Sequence, residues 1–438
     1  MKRTIALLAL ALSLSVAALA DQEPWSLWKN PLWKTGYREL TEEERVAGLS
    51  RVWSEVKYNF ANFDLVPRVD WDAEYIAALP RVRAAKTTLE YYRVMQEMVA
   101  RLHDGHTYLW PSNDLASQLY ADVPVVAKLV EGKPIVWKVY DAANGIVPGD
   151  EIVAIDDVPA KTYADTRIRP YVFASTPQDA DNRVYSQWLL SGADGSAVRL
   201  KIRDAKGKTR EVHLTRTSKN LAPPRKLISL EVLEGNVGYL VVNSFNDDRL
   251  KGRYDELWPQ IEKTSALIID IRANGGGNTN NGYHILKTLT NKPFLGSKWR
   301  TRKYLPSYRA WNRAEVWDVH EAEAEPPDGE RHYDKAVAVL SSERTFSAAE
   351  DFAVAFDAMD RGVFVGGPTG GSTGQPLLLD LPGGGIVGIC TKRDQYPDGR
   401  EFIGVGVQPD IAVPLTIADV RSGRDAVLEK ALAAVRKR

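Results

Sequence analysis

The run AVLSSERTFSAAEDFAVAF, residues 338–356, places Ser347 where an apolar strand hands over to a helix. A hydroxyl there meets unpaired backbone N–H groups and the positive end of the helix dipole, and both favour a developing oxyanion. Serine is also a preferred helix N-cap, so this residue alone leaves nucleophile and cap both open. A nucleophilic serine needs a base, and the chain has six histidines. His106, in DGHT, has the best local context, leaving a helix and entering a strand with Gly105 beside it. His103 projects differently, His213 and His332 sit in or beside apparent strands, His284 follows a glycine loop and His320 lies in a charged segment.

Two glycine-rich loops flank the serine in the pattern of elements: DIRANGGGNTNNG after the strand ALIIDI, and GGPTGGSTGQ after GVFV. Glycines there let backbone approach a ligand and offer N–H donors with no Cβ in the way, although a tight connection alone would use them too. Other chemistries fail on missing residues. Gly366 to Thr373 has phosphate-loop spacing without the lysine, and His320-Glu321 lacks a second histidine four residues on. Ser347 is not in a Gly-x-Ser-x-Gly elbow. Cys390, the only cysteine, lies in the apolar run GIVGIC and reads as a buried structural thiol, so no intramolecular disulfide can form.

The elements that must position these groups fall into blocks. Residues 1–20 read as a cleavable signal peptide: Lys2 and Arg3, an apolar run, then Ala18-Leu19-Ala20. The expectation is a secreted or periplasmic protein without a stable membrane anchor. Cleavage would leave 55 basic and 57 acidic residues, which favours no nucleic-acid partner. Residues 21–118 form a helical region. Thr41 with Glu44 and Thr87 with Glu90 have capping-box spacing, one helix is expected over Trp71 to Leu79 before Pro80, and Leu89, Tyr92, Met95, Val99 and Leu102 share a core-facing stripe. Residues 119–218 change to short strands and turns, followed by the polar linker 216–226. Residues 219–438 alternate apolar strands with helices, which implies a mainly parallel sheet covered on both faces. The aromatic and charged stretch 297–333 interrupts that rhythm as a lid, a cleft wall or an irregular loop.

Five stretches, in order, resemble the tail-specific or C-terminal-processing serine peptidases, peptidase family S41, which include the tricorn core. They are DGHT at 104–107, GIVPGDEIVAID from 145, LIIDIRANGGG at 267–277, FSAAE at 346–350 and GVGVQPDI at 404–411. The resemblance implies an α/β catalytic domain of the ClpP/crotonase type, an N-terminal helical region and an inserted PDZ-like domain, although no Gly-Leu-Gly-Phe-like loop precedes Val123. It implies a serine endopeptidase that cleaves peptides or unfolded protein tails through an acyl-enzyme, with no cofactor and no metal. Ser347 would be the nucleophile and His106 the base, with the N–H groups of Ala348 and Gly276 as oxyanion hole. The processing branch places a lysine about where Ser372 stands, so the chain resembles the tricorn-like branch, in which histidine activates the serine. The residue orienting His106 is expected to be Glu401, two positions from the family spacing, which falls on Ile403. Asp104 and Glu350 are the alternatives. A peptide- or hydrophobic-ligand-binding protein without competent catalysis, or a hydrolase of small esters or amides, are the rival readings.

Overall fold

Glu42–Asn59 forms helix α1, which Thr41 opens by accepting from Glu44 N while the Glu44 side chain accepts from Thr41 N. The structure is a computed structural model, and residues 37–140 and 143–437 are described; the signal-peptide expectation lies outside them. Helices α2 (Trp71–Ala84) and α3 (Thr88–Ala100) follow, capped by Asp70 and Thr87. The expected stop before Pro80 is wrong, because α2 runs through it. Proline deprives the carbonyl of Ile76 of its donor, and Ile76 lies on the solvent side, 64% exposed, where water can replace that bond.

These helices do not close a core alone. Leu49, Val52, Val56, Tyr92, Met95 and Val99 are buried together with Leu381, Val387, Ile389 and Cys390 from far along the chain. Strand β1 (Tyr108–Trp110) pairs antiparallel with a strand over Ile386–Cys390, Tyr108 opposite Gly388. The break near residue 118 is therefore a change of pattern, while the packing continues across it.

The next unit is an antiparallel sheet of β2 (Val125–Val130), β3 (Lys133–Val139), β4 (Glu151–Ile155), β5 (Ala197–Arg203) and β6 (Thr209–Thr215), in that spatial order. Val198, Leu200 and Ile202 alternate inward along β5, facing a core with Val136, Ile152 and Val212. Residues 160–190 cover it with short helical turns.

The last unit holds β7 (Ile228–Leu233), β8 (Val237–Val242), β9 (Ala266–Asp270), β10 (Lys298–Lys303), β11 (Val316–His320), β12 (Ala336–Ser341), β13 (Val363–Gly366), β14 (Pro376–Asp380), β15 (Ile386–Cys390), β16 (Lys392–Gln395) and β17 (Ile411–Ala412). One sheet runs β17-β13-β12-β9-β8-β7, parallel at every pairing except β7 with β8. Strand β9 is buried along its whole length, as a strand covered on both faces must be. Its Leu267 and Ile269 face helices α4 (Arg249–Ile261), α5 (Thr279–Leu286) and α6 (Ala348–Ala358), while Ala266 and Ile268 share a core with α7 (Ala426–Val435). The interrupting stretch is anchored: β10 pairs with β11 on one side and β16 on the other.

Candidate active site

Ser347 occupies the turn between β12 and α6, at the N-cap position with φ 57° and ψ −130°. A residue with a Cβ pays about 1–3 kcal/mol in that region, so surrounding contacts must enforce it. Ser347 N donates to Ser372 O at 3.1 Å and Ser347 O accepts from Glu350 N at 2.6 Å. The side chain caps nothing in the helix. Its Oγ lies 3.0 Å from His106 Nε2, which overturns the plain N-cap reading.

His106 is buried, with its ring stacked on Phe346 at 4.7 Å between centroids and 6° between planes. A Cβ at Gly105 would sit 2.9 Å from the Phe346 ring and 3.1 Å from Ser372 Oγ, so a larger residue before this histidine would press on both of the groups that hold the imidazole. Asp104 accepts from His106 N at 2.9 Å and from Asn62 Nδ2 at 2.9 Å, which fixes the backbone from which the imidazole projects. Burial lowers the His106 pKa to about 3, with Arg183 and Lys392 adding repulsion, so the ring is neutral at ordinary pH. His106 Nδ1 lies 2.8 Å from Ser372 Oγ. With hydrogen on Nδ1, the ring donates to Ser372 and presents the Nε2 lone pair to the Ser347 hydroxyl.

The expectation that Glu401 orients His106 fails on geometry. Glu401 is exposed, accepts from Gln395 Nε2 at 2.6 Å, and pairs with Arg393 at 3.1 Å. Two residues on, Ile403 is buried in the core and has no polar side chain to offer. Nor does either alternative carboxylate bond to the ring. Asp104 holds the backbone N–H, and Glu350 holds the loop beyond: its carboxyl accepts from Ser372 N at 2.8 Å, Gly371 N at 2.7 Å and Thr369 Oγ1 at 2.5 Å. Burial pushes Glu350 up to about 8 despite those donors. Ser372 is thus the group on Nδ1, and Glu350 positions it through its backbone. The only hint in the sequence was that a lysine might have stood at Ser372.

At the oxyanion side, Ala348 N–H opens α6 and has no protein partner among the described residues. Gly276 approaches closely, since a Cβ there would lie 2.6 Å from Ser347 Cβ and 2.6 Å from Phe346 O, at φ 96°. Its N–H is not a free donor, however: it bonds Asn274 Oδ1 at 2.9 Å, an Asx turn the sequence did not disclose. Gly276 therefore serves by lacking a side chain, and the expected Gly276 N–H of the hole is already committed. Gly275 N–H, beside it, has no partner among the described residues. Cys390 is buried beneath this site, and burial raises its thiol, which suits a structural role. No group of three or more His, Cys, Asp and Glu side chains among the described residues is placed to hold a metal, and no described helix is long and apolar enough to cross a membrane.

Residues 236–413 match peptidase family S41, a stretch that includes Ser347, the glycine loop and the whole parallel part of the sheet. The chain is 27% identical over 351 residues to carboxyl-terminal-processing peptidase 2, chloroplastic, of Arabidopsis thaliana, covering 75% of this chain and 61% of that protein. It is 29% identical over 249 residues to the tail-specific protease of Haemophilus influenzae, covering 54% of this chain and 33% of the relative. The matched stretches thus span less than two thirds of either relative. Among solved structures, mature CPAF has a TM-score of 0.68 at 17% identity, covering 87% of this chain and 94% of its own, which is a likeness of fold.

Proposed function

We propose that this chain, which carries an S41 peptidase domain, is a serine endopeptidase acting on peptides or unfolded protein tails. The observation that carries the reading is Ser347, held in a strained turn with Oγ 3.0 Å from the Nε2 of a buried, neutral histidine. In this reading His106 takes the hydroxyl proton as Oγ attacks a peptide carbonyl, and the developing oxyanion meets Ala348 N–H. The imidazolium, donating through Nδ1 to Ser372, then returns its proton to the leaving amine, and water hydrolyses the acyl-enzyme by the reverse sequence. The second oxyanion donor is Gly275 N–H, or Gly276 N–H once Asn274 turns away. Only the chain's own groups are used.

The assignments beyond the site belong to the same proposal. Residues 21–118 are a helical region that supplies the base, 119–218 a PDZ-like unit and 219–438 a peptidase domain of ClpP/crotonase type, in a protein exported by its signal peptide to the periplasm or beyond. A second reading has support in the absence of a carboxylate on His106 Nδ1: a family member that binds peptides or hydrophobic ligands without turning them over. Labelling with a fluorophosphonate separates the two. The intact protein should be modified at Ser347 and hydrolyse a peptide library, and Ser347→Ala and His106→Ala should do neither while staying folded. Turnover retained in purified Ser347→Ala would sink the assignment.

A further inference from the structure

A cavity of about 740 Å³ lies where the β-rich unit meets the carboxyl ends of the parallel sheet. Its walls are the β2–β3 hairpin, the Ser341–Arg344 loop entering the nucleophile turn, and the stretch leading into α7. The acidic groups on those walls are engaged. Glu343 pairs with Lys128 at 2.8 Å, Asp270 and Asp425 with Arg272 at 2.7 and 2.8 Å, and Asp419 with Arg424 at 3.2 Å. Glu131 accepts from Ile417 N at 3.2 Å. Three cations lining the same space, Lys138, Arg225 and Arg344, have no ion-pair partner among the described residues.

The repulsion is visible in the proton affinities of Lys138 and Arg344. Burial lowers both Lys138 and Arg344, and Arg225 is the next contributor at each, with Glu343 offsetting part of the effect at Arg344. The Lys138 ammonium also lies 4.1 Å from the Trp137 ring centroid, a contact that partly offsets its desolvation. A concave site that gathers unpaired like charges is destabilising when empty and is relieved by a ligand of opposite charge. Its volume falls in the range of ligand sites, and Leu129, Trp137 and Leu415 give it apolar walls beside the charges.

We propose that this cavity is an anion site, apart from the catalytic cleft, that receives the carboxylates of an acidic polypeptide segment. The choice of a polypeptide rests on the peptidase reading, while the anion preference does not. Arg344 stands three residues before Ser347, so a segment held there also fixes the loop that leads into the nucleophile.

The test is a binding measurement on the full chain carrying Ser347→Ala, which removes turnover from the readout. A fluorescein-labelled Asp/Glu-rich decapeptide is compared by anisotropy with its Asn/Gln counterpart. The acidic peptide should bind about tenfold or more tightly, and adding Lys138→Gln with Arg344→Gln should erase the difference. The same double substitution should raise the thermal midpoint of the free protein, which a merely structural pair of residues would lower. Amidating the C-terminus of both peptides should leave the preference intact, because both carry that carboxylate and differ only in their side chains; its loss on amidation would overturn side-chain carboxylates as the occupants of the cavity. Equal binding of acidic and neutral peptides, or an undiminished preference in the folded double variant, overturns the site. Failure of the anion preference leaves fluorophosphonate labelling intact, so the two proposals fail separately.

Discussion

Replacing Ser372 by alanine tests whether a hydroxyl can do for His106 what a carboxylate does elsewhere. Burial that moves the His106 pKa from 6.5 to about 3 makes imidazolium formation harder by on the order of 5 kcal/mol than in water. The group that offsets part of this is Ser372 Oγ, 2.8 Å from Nδ1. Its hydrogen bond is between neutral partners in the ground state and becomes charge-assisted only as the proton arrives, so it favours the transition state selectively. A charge-assisted bond contributes about 1.5–3 kcal/mol, which converts to a fall in kcat of roughly 10- to 150-fold, with KM little changed. The acid limb of kcat/KM should lie near pH 3 in the parent, with activity rising as His106 loses its proton and flat through neutrality. Removing a partner of the charged form moves that limb lower still. Steady-state kinetics on a fluorogenic peptide across this pH range, with circular dichroism to verify folding, give both readouts. A folded Ser372→Ala enzyme with kcat within about twofold of the parent and an unmoved limb would refute Ser372 as the orienting group.

Glu350→Gln addresses the layer behind it. With a folded pKa near 8 against a reference of 4.5, Glu350 contributes stability that is fully present below about pH 4.5 and is lost as pH rises through 8, up to on the order of 5 kcal/mol. Urea melts at pH 5 and pH 9 should show that loss in the parent and a flatter response in the variant; equal losses would contradict it. Ser347→Gly should abolish turnover yet stabilise the fold by about 1 kcal/mol or more, because glycine accepts φ 57° without strain, and a lower melting point would count against the strained-turn account. Glu401→Ala should leave kcat/KM within about twofold, since its partners are Arg393 and Gln395; a hundredfold fall would return Glu401 to the imidazole.

What the sequence made legible was local or strongly periodic. The capping box at Thr41, the apolar run of β9 and the strand-to-helix turn at Ser347 each depend on neighbours within a few positions. What it hid depends on closure over long distances. Ser372 meets His106 from 266 positions away, and nothing near either residue announces the contact. Glu401 looked eligible because motif spacing counts residues, whereas the chain from Gln395 to Glu401 turns back on itself and commits the carboxylate to its own neighbours. Gly276 illustrates a finer limit: its lack of a Cβ was readable in the glycine run, while the engagement of its N–H depends on how one asparagine side chain turns.

The pairing of β1 with β15 makes the order of synthesis a safeguard. His106 is made early, Ser347 follows 241 residues later, and the strand that holds the histidine in line, Ile386–Cys390, comes later still. A growing chain therefore carries the histidine without the serine, then both without the strand that aligns them, and contacts of such separation are among the slowest to form. In the peptidase reading, competence would arrive only with the completed fold, which would keep the growing chain latent towards its own unfolded segments. The converse holds for dissection: a fragment beginning at residue 219 would keep the serine and the glycine loop, lose the histidine, and expose the half-core that Val387 and Ile389 bury against the helices.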